Sequence, residues 1–185
     1  LFAGIHPHGR KQLSSGKPLE QLPPPEEVCI SLSQSLGRPA LPCVEKGAKV
    51  KRGECIAKAD GAISSDVFAS IAGEVIDIRT MTAQGGGEET FLVIRADHSG
   101  EEFRFPALSD PTPEEIRARV KECGIVGLGG AGFPTAVKLS PPCPVDTLIL
   151  NGAECEPYLT CDHRLMLEFT DEIVRGARYL KLALD

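Results

Sequence analysis

The stretch Val44-Glu45-Lys46-Gly47-Ala48-Lys49-Val50-Lys51-Arg52-Gly53-Glu54-Cys55-Ile56 sets an apolar residue or a glycine at every third position, and Ala69-Ser70-Ile71-Ala72-Gly73-Glu74-Val75-Ile76-Asp77-Ile78 continues the theme. Glycine takes φ > 0 at little cost, which suits corners where a strand bends or changes sheet. Gly47, Gly53 and Gly73 are therefore read as corners, with the apolar residues between them on short strands. Working outward, residues 28–108 carry VCISL from Val28, CVEKG from Cys43, ECIAKA from Glu54, DVFAS from Asp66, EVIDI from Glu74, TFLVIRA from Thr90 and EFRF from Glu102. Gly, Pro and Asp separate these stretches at intervals of about eight to ten residues, the spacing of a small all-β sandwich or barrel.

This glycine-cornered arrangement resembles the biotinyl and lipoyl carrier family, whose fold is a barrel-sandwich hybrid. In those carriers a lysine on a hairpin takes the cofactor. Here the corresponding place falls on Ile63 in the turn Asp60-Gly61-Ala62-Ile63-Ser64-Ser65, and Lys58 comes too early. A structural use of the fold is expected rather than a swinging-arm carrier.

The flanks differ from the centre. Residues 1–27 hold Gly4-Ile5-His6-Pro7-His8-Gly9-Arg10-Lys11 and the run Pro23-Pro24-Pro25, which packs neither as helix nor as central strand, so an extended arm is expected. Residues 109–185 open with a helix signal. Thr112 offers an N-cap, Pro113 the first helical position and Glu115 the capping-box acid, with Ile116, Val120 and Cys123 on one face and Gly124 as the stop. Val145-Asp146-Thr147-Leu148-Ile149-Leu150 reads as a buried strand. From Asp162 onward Leu165, Phe169, Ile173, Ala177 and Leu180 recur at helical spacing, with Thr170 as a second cap. Helix, strand and helix in this order predict an α/β layer with a parallel sheet.

Composition narrows the function classes. The chain has 185 residues, 26 acidic against 20 basic side chains and a net charge of −6, with 19 Gly and 15 Pro. No cluster of Lys and Arg interleaves with aromatics, so a nucleic-acid footprint is missing. The seven cysteines form an odd set with no CxxC pair, which argues against a disulfide framework and for reduced thiols. No apolar run approaches the roughly 18 residues of a membrane span, so membrane contact is expected only through partners. The chain does not begin with Met and is read as a piece of something longer.

Two segments carry chemistry. Gly127-Leu128-Gly129-Gly130-Ala131-Gly132-Phe133-Pro134 matches the dinucleotide fingerprint G-x-G-x-x-G, and Glu154 follows near the distance of its ribose-binding acid. A Rossmann unit needs a full strand before the loop and a long helix after it. Ile125-Val126 and Thr135 to Leu139 are too short for that. What remains is a loop whose backbone can approach an anion, with Lys138 one turn along; a tight turn beside a surface lysine is the plain alternative. The second segment, Asn151-Gly152-Ala153-Glu154-Cys155-Glu156-Pro157, offers carboxylates as acceptors for sugar hydroxyls or a ring N–H, and an amide that donates and accepts. A solvated acidic turn is its plain alternative. Cys155-x5-Cys161-x-His163 has zinc-type ligands but unusual spacing and no fourth ligand, so no metal site is assigned.

Together these segments, extended through Thr135-Ala136-Val137-Lys138-Leu139 and Tyr158-Leu159-Thr160, resemble the flavin-binding stretch shared by the NADH-oxidising subunit of respiratory complex I and the RnfC subunit family of the Rnf ion-translocating electron-transport complex. Gly4-Ile5-His6-Pro7 with Lys11, Cys155 to Pro157, and Asp162-His163-Arg164-Leu165-Met166 are RnfC-like in detail. The resemblance implies a peripheral subunit on the cytoplasmic face of the membrane, exchanging electrons between NAD(H), FMN and iron–sulfur clusters while partner subunits move Na⁺ or H⁺. By carry-over Gly127, Gly129 and Gly130 lie against the FMN phosphate with Lys138 and Asn151 nearby, and Glu154 and Glu156 line the flavin and nicotinamide side. No side chain is implied as a catalytic acid, base or nucleophile. Leu128 and Ala153 stand where the complex I pattern has an arginine and an acid. RnfC proteins continue into CxxCxxCxxxCP runs for [4Fe-4S] clusters, which this sequence lacks. The expectation is thus a barrel-sandwich hybrid over 28–108 followed by the first part of an FMN-binding α/β domain over 109–185. A related sodium-pumping quinone reductase subunit and a non-redox scaffold are the alternatives.

Overall fold

The computed structural model describes residues 7–83, 86–128 and 130–184. Among them seven strands form two sheets: β1 (Glu27–Ser31), β2 (Leu41–Pro42), β3 (Lys49–Val50), β4 (Cys55–Lys58), β5 (Val67–Phe68), β6 (Gly73–Thr82) and β7 (Glu88–Ala96). One sheet has the order β1-β7-β6-β3 and the other β2-β4-β5, with every pairing antiparallel. The two inner faces bury Ile30, Leu32, Ala40, Val50, Ile56, Ala57, Val67, Ala69, Val75, Leu92 and Ile94 as a single core. Sequence and packing meet at Val75, which pairs with Ile94 across β6 and β7 just before a bulge that shifts the register ahead of Asp77. Both side chains are fully buried.

Two of the three expected corners have the left-handed backbone, whereas Gly73 opens β6 without it and is needed because a Cβ there would collide with the Arg95 carbonyl oxygen. Gly47 and Gly53 have positive φ, and their amides donate to the Val75 and Ala69 carbonyls at 2.7 and 2.8 Å, extending the β3–β6 ladder of one sheet and the β4–β5 ladder of the other. Of the seven expected stretches, CVEKG falls in the connection between β2 and β3, and EFRF is not a strand. Glu102 makes one isolated parallel bridge to Arg52, and Phe103 and Phe105 stack edge to face with each other, Phe105 also meeting Phe68. Edge-to-face contacts among the rings hold this segment, with Phe103 still 41% exposed.

Four helices follow: α1 (Pro113–Glu122), α2 (Thr135–Lys138), α3 (Cys161–Glu168) and α4 (Thr170–Leu184). The capping box at α1 is fully formed: Thr112 Oγ1 accepts from the Glu115 amide at 3.3 Å and the Glu115 carboxylate accepts from the Thr112 amide at 2.8 Å. These bonds hold the Glu115 carboxyl below its ordinary range. Ile116 and Val120 pack with Leu139 and Ala183, joined by Ala136, Leu180 and Leu184.

Two expectations for this part need correction. Val145–Leu150 is not a buried strand: it runs irregularly, with Ile149 80% and Leu150 52% exposed. A strand exists only with a hydrogen-bonded neighbour, and among the described residues none pairs with it, so the expected parallel sheet does not form there; the segment lies along α4 instead, sharing a groove with Val174, Ala177 and Lys181. The helical tail divides at Phe169 into α3 and α4, at the second start that Thr170 signalled, but the Thr170 hydroxyl donates back to the Met166 carbonyl rather than capping α4. Of the expected apolar face, Ile173, Ala177 and Leu180 are half-buried while Leu165 and Phe169 are exposed.

Two glycines let the helical part meet the β part. Gly124 has φ +61, and a Cβ there would lie 2.5 Å from the Asp66 carbonyl oxygen and 2.6 Å from the Phe68 ring. Gly132 has φ +64 with the Gln34 carbonyl oxygen 2.8 Å from an added Cβ. Each position needs both a left-handed backbone and the absence of a side chain. Arg119 completes the seam, stacking on Phe105 at 5.4 Å.

Candidate functional site

The glycine loop is closed by its own backbone. Val126 and Pro134 form an antiparallel bridge, the Gly127 amide donates to Phe133 O at 2.9 Å, and the Thr135 amide donates to Ile125 O at 2.9 Å. The Leu36 amide donates to Gly132 O at 3.1 Å and anchors the loop on the β module. An open cleft of about 350 Å³ lies between Ser33, Gln34 and Ser35 on one side and Gly127, Leu128, Gly130 and Ala131 on the other. The residues 33–35 of this cleft carry no motif, and only the three-dimensional contact with Gly132 brings them in.

Lys138 sits over this loop. Its Nζ is 5.9 Å from the Phe133 ring centroid, and a Cβ on Gly127 would come within 2.9 Å of it. Among the described residues no carboxylate pairs with this ammonium. Gly130 has open space where a side chain would project, and Leu128 is 93% exposed. Gly129 falls outside the described residues.

The acidic segment is built differently. Asn151 Oδ1 accepts from the Ala153 amide at 3.0 Å, an Asx turn that leaves its NH₂ as the remaining donor. Glu154 turns its carboxylate onto the start of α3, accepting from the Asp162 and His163 amides at 3.0 and 3.3 Å and from Cys161 Sγ at 3.0 Å. The Cys161 contact, followed by those amides, holds the Glu154 carboxyl below its ordinary range, and the same contact pushes the Cys161 thiol up. This is a helix cap supplied from outside the helix. The Glu156 side chain is exposed. Glu154, Cys161 and Asp162 place one ligand-type atom each within 4.8 Å of one another; Cys155 and His163 are not in that group.

The N-terminal arm closes on this segment. Lys11 Nζ donates to the carbonyl oxygens of Glu154 at 2.7 Å, Leu159 at 2.9 Å and Glu156 at 3.4 Å. The Tyr158 amide donates to Gly9 O at 2.7 Å, and the Ser14 hydroxyl donates to Tyr158 O. Downstream, Arg164 donates to Ser15 O and pairs with Glu168, whose carboxylate accepts from the Leu19 amide at 3.1 Å. His6, Ile5 and Gly4 lie outside the described residues.

The structure thus brings Gly127 and Gly130 together at one cleft, with the Lys138 ammonium beside Gly127 but outside the cleft's lining. It gathers Asn151, Glu154 and Glu156 on a second loop that does not line that cleft. The donor set of the first fits the phosphate end of a flavin nucleotide: an unpaired ammonium, an open glycine backbone and no carboxylate in the lining. Of the two acids, Glu156 has a carboxylate to offer, whereas that of Glu154 is committed to the helix cap. No helix among the described residues is long and apolar enough to cross a membrane.

Comparison with known proteins agrees with both parts of this picture. The RnfC barrel sandwich hybrid domain matches residues 1–99, and the Nuo51 FMN-binding domain matches residues 120–185. The chain is 42% identical over 188 residues to the C subunit of the proton-translocating ferredoxin:NAD(+) oxidoreductase complex of Clostridium ljungdahlii, covering 98% of this chain and 41% of that protein. It is 43% identical over 193 residues to the C subunit of the ion-translocating oxidoreductase complex of Rhodobacter capsulatus, covering 100% of this chain and 37% of that protein. The C subunit of the Na(+)-translocating ferredoxin:NAD(+) oxidoreductase complex of Acetobacterium woodii is 41% identical over 189 residues, with 98% and 42% covered. The chain therefore spans about two fifths of these relatives' length. A barrel-sandwich hybrid cornered by glycines, continuing into an FMN-binding domain of the Nuo51 type, makes this chain a member of the RnfC family.

Proposed function

We propose that this chain supplies the flavin-holding part of a peripheral electron-transfer subunit in an ion-translocating ferredoxin:NAD oxidoreductase complex. The observation that carries the reading is the Lys138 ammonium lying over Gly127 with no carboxylate partner among the described residues, in the same loop that leaves open space at Gly130. In this reading Gly127, Gly129, Gly130 and Lys138 hold the FMN phosphate, and Asn151 and Glu156 serve the ribityl and ring side. Glu154 acts through the shape of its loop. When bound, FMN interconverts two-electron hydride chemistry with NAD(H) and one-electron transfer to iron–sulfur clusters.

The chain's own residues bind and orient. Lys138 neutralises phosphate charge, the glycines keep side chains out of the approach, and the β module fixes the loop through Gly132 and Leu36. Clusters belong to other parts of the family's chains, and membrane contact at the cytoplasmic face is through partner subunits. The arm over 1–27, the barrel over 28–108 and the flavin part over 109–185 are the functional divisions of this reading.

Flavin titration of the full-length subunit tests it. Gly130→Asp places a carboxylate where the phosphate would sit, and Lys138→Met removes the cation. Each should weaken FMN binding by about tenfold or more, the scale of a charged hydrogen-bonded contact. Equal FMN affinity in wild type and Gly130→Asp sinks the flavin reading and leaves the glycine loop as scaffold.

A further inference from the structure

We infer that the N-terminal segment Gly9–Ser14 is an intramolecular clamp on the Glu154–Leu159 loop, with Lys11 as a positioning residue for the flavin site. This rests on the flavin reading above. The clamp is dense and one-sided: within six residues the arm supplies an ammonium, a hydroxyl and a carbonyl, and all three are aimed at backbone groups of one loop. Lys11 has three N–H donors, and they meet three carbonyl oxygens, of Glu154, Leu159 and Glu156, at 2.7, 2.9 and 3.4 Å. No carboxylate within ion-pair distance competes for it among the described residues.

The loop needs holding. Tyr158 has φ +69, a left-handed conformation that is strained for a bulky side chain and persists only where surroundings impose it. Both of its backbone polar groups are taken by the arm, the amide by Gly9 O and the carbonyl by the Ser14 hydroxyl. The same loop begins at Glu154, whose carboxylate caps α3, and carries Glu156 outward. Releasing Lys11 therefore frees the carbonyls on both sides of the strained residue and lets Glu156 and the start of α3 wander.

The test uses the full-length subunit with two readouts: amide exchange across residues 154–163 without flavin, and FMN affinity. In Lys11→Met those amides should exchange roughly tenfold faster, and FMN should bind roughly tenfold more weakly, the scale of one lost charged hydrogen-bond set. Lys11→Arg should recover part of both. Lys11→Met with Tyr158→Gly should recover part of the FMN affinity, because glycine holds the left-handed turn without the clamp. Gly130→Asp should weaken FMN binding while leaving exchange at 154–163 unchanged. Unchanged exchange in Lys11→Met overturns the clamp. Faster exchange with unaltered FMN affinity, while Gly130→Asp does lose FMN, overturns the positioning role and spares the flavin reading. FMN affinity unmoved in both variants overturns both.

Discussion

The β module and the helical module use similar apolar residues in opposite ways. Eleven buried side chains close into one core between the two sheets, whereas the helices bury Ile116, Val120, Leu139 and Ala183 and leave Leu165, Met166, Leu167, Phe169, Val174, Tyr179 and Leu182 each more than two-fifths exposed. The difference teaches where rigidity comes from. A sandwich buries both inner faces against each other, but α3 and α4 pack on one side only. The glycine loop belongs by sequence to the helical module, yet it takes its fixed shape from the β module through Gly132 and Leu36. The acidic loop takes its shape from the N-terminal arm.

The largest expected effect sharpens that contrast. Ile56→Ala removes a side chain with no exposure and should cost about 2–5 kcal/mol, seen as a lower denaturation midpoint. Phe169→Ala should stay within about 0.5 kcal/mol; an equal loss from both would break the comparison. Gly132→Val comes next. It puts a branched side chain at φ +64 with a carbonyl oxygen 2.8 Å from its Cβ, and it should cost roughly 1–3 kcal/mol and disturb the loop around Lys138. A variant as stable as wild type would detach the glycine loop from the β module. Thr112→Ala loses one half of the capping box and should cost about 1 kcal/mol, confined to α1 when followed by amide exchange.

The smallest effects are local titrations. Glu154 has its folded pKa held below the unfolded value of 4.5 by Cys161 and the α3 amides. Its contribution is present above that value and is lost as pH falls through the lower folded one, so the first turn of α3 should lose exchange protection at acid pH before the β core does. Cys55 shows the converse: burial, then Asp66, pushes its thiol up to about 11, and burial also raises Cys123. Both should alkylate more slowly at mildly alkaline pH than the exposed Cys143 and Cys155. Cys55 reacting as fast as these would contradict the packing around β4.

What the sequence revealed follows the range of the forces involved. The α1 capping box is a four-residue device and was readable directly from Thr112-Pro113-Glu114-Glu115. The corners at Gly47 and Gly53 were readable because a glycine's use of positive φ is local, whereas Gly73 is required by the close approach of the Arg95 carbonyl. The strand expected at Val145–Leu150 was not decidable from its apolar run, since strands need a neighbour that no window contains. The second helix start at Thr170 was readable from its residue type, but the turn of its hydroxyl back onto Met166 was not. At the site, the glycine loop and Lys138 were visible as a motif, but the cap made by Glu154 spans eight residues of loop, and the Lys11 contact spans 143 positions. Lys11 stood out only through resemblance to the family, and its grip on the carbonyls came from the fold.

The central claim is that the cleft between residues 33–35 and the glycine loop receives the phosphate end of a flavin nucleotide. Comparing FMN with riboflavin on the full-length subunit tests this most directly, because the two ligands differ only in that phosphate. Wild type should prefer FMN by about tenfold or more, and Lys138→Met should lose most of that preference while riboflavin affinity stays the same. Equal affinity for the two flavins in wild type, or an undiminished preference in Lys138→Met, would contradict the account.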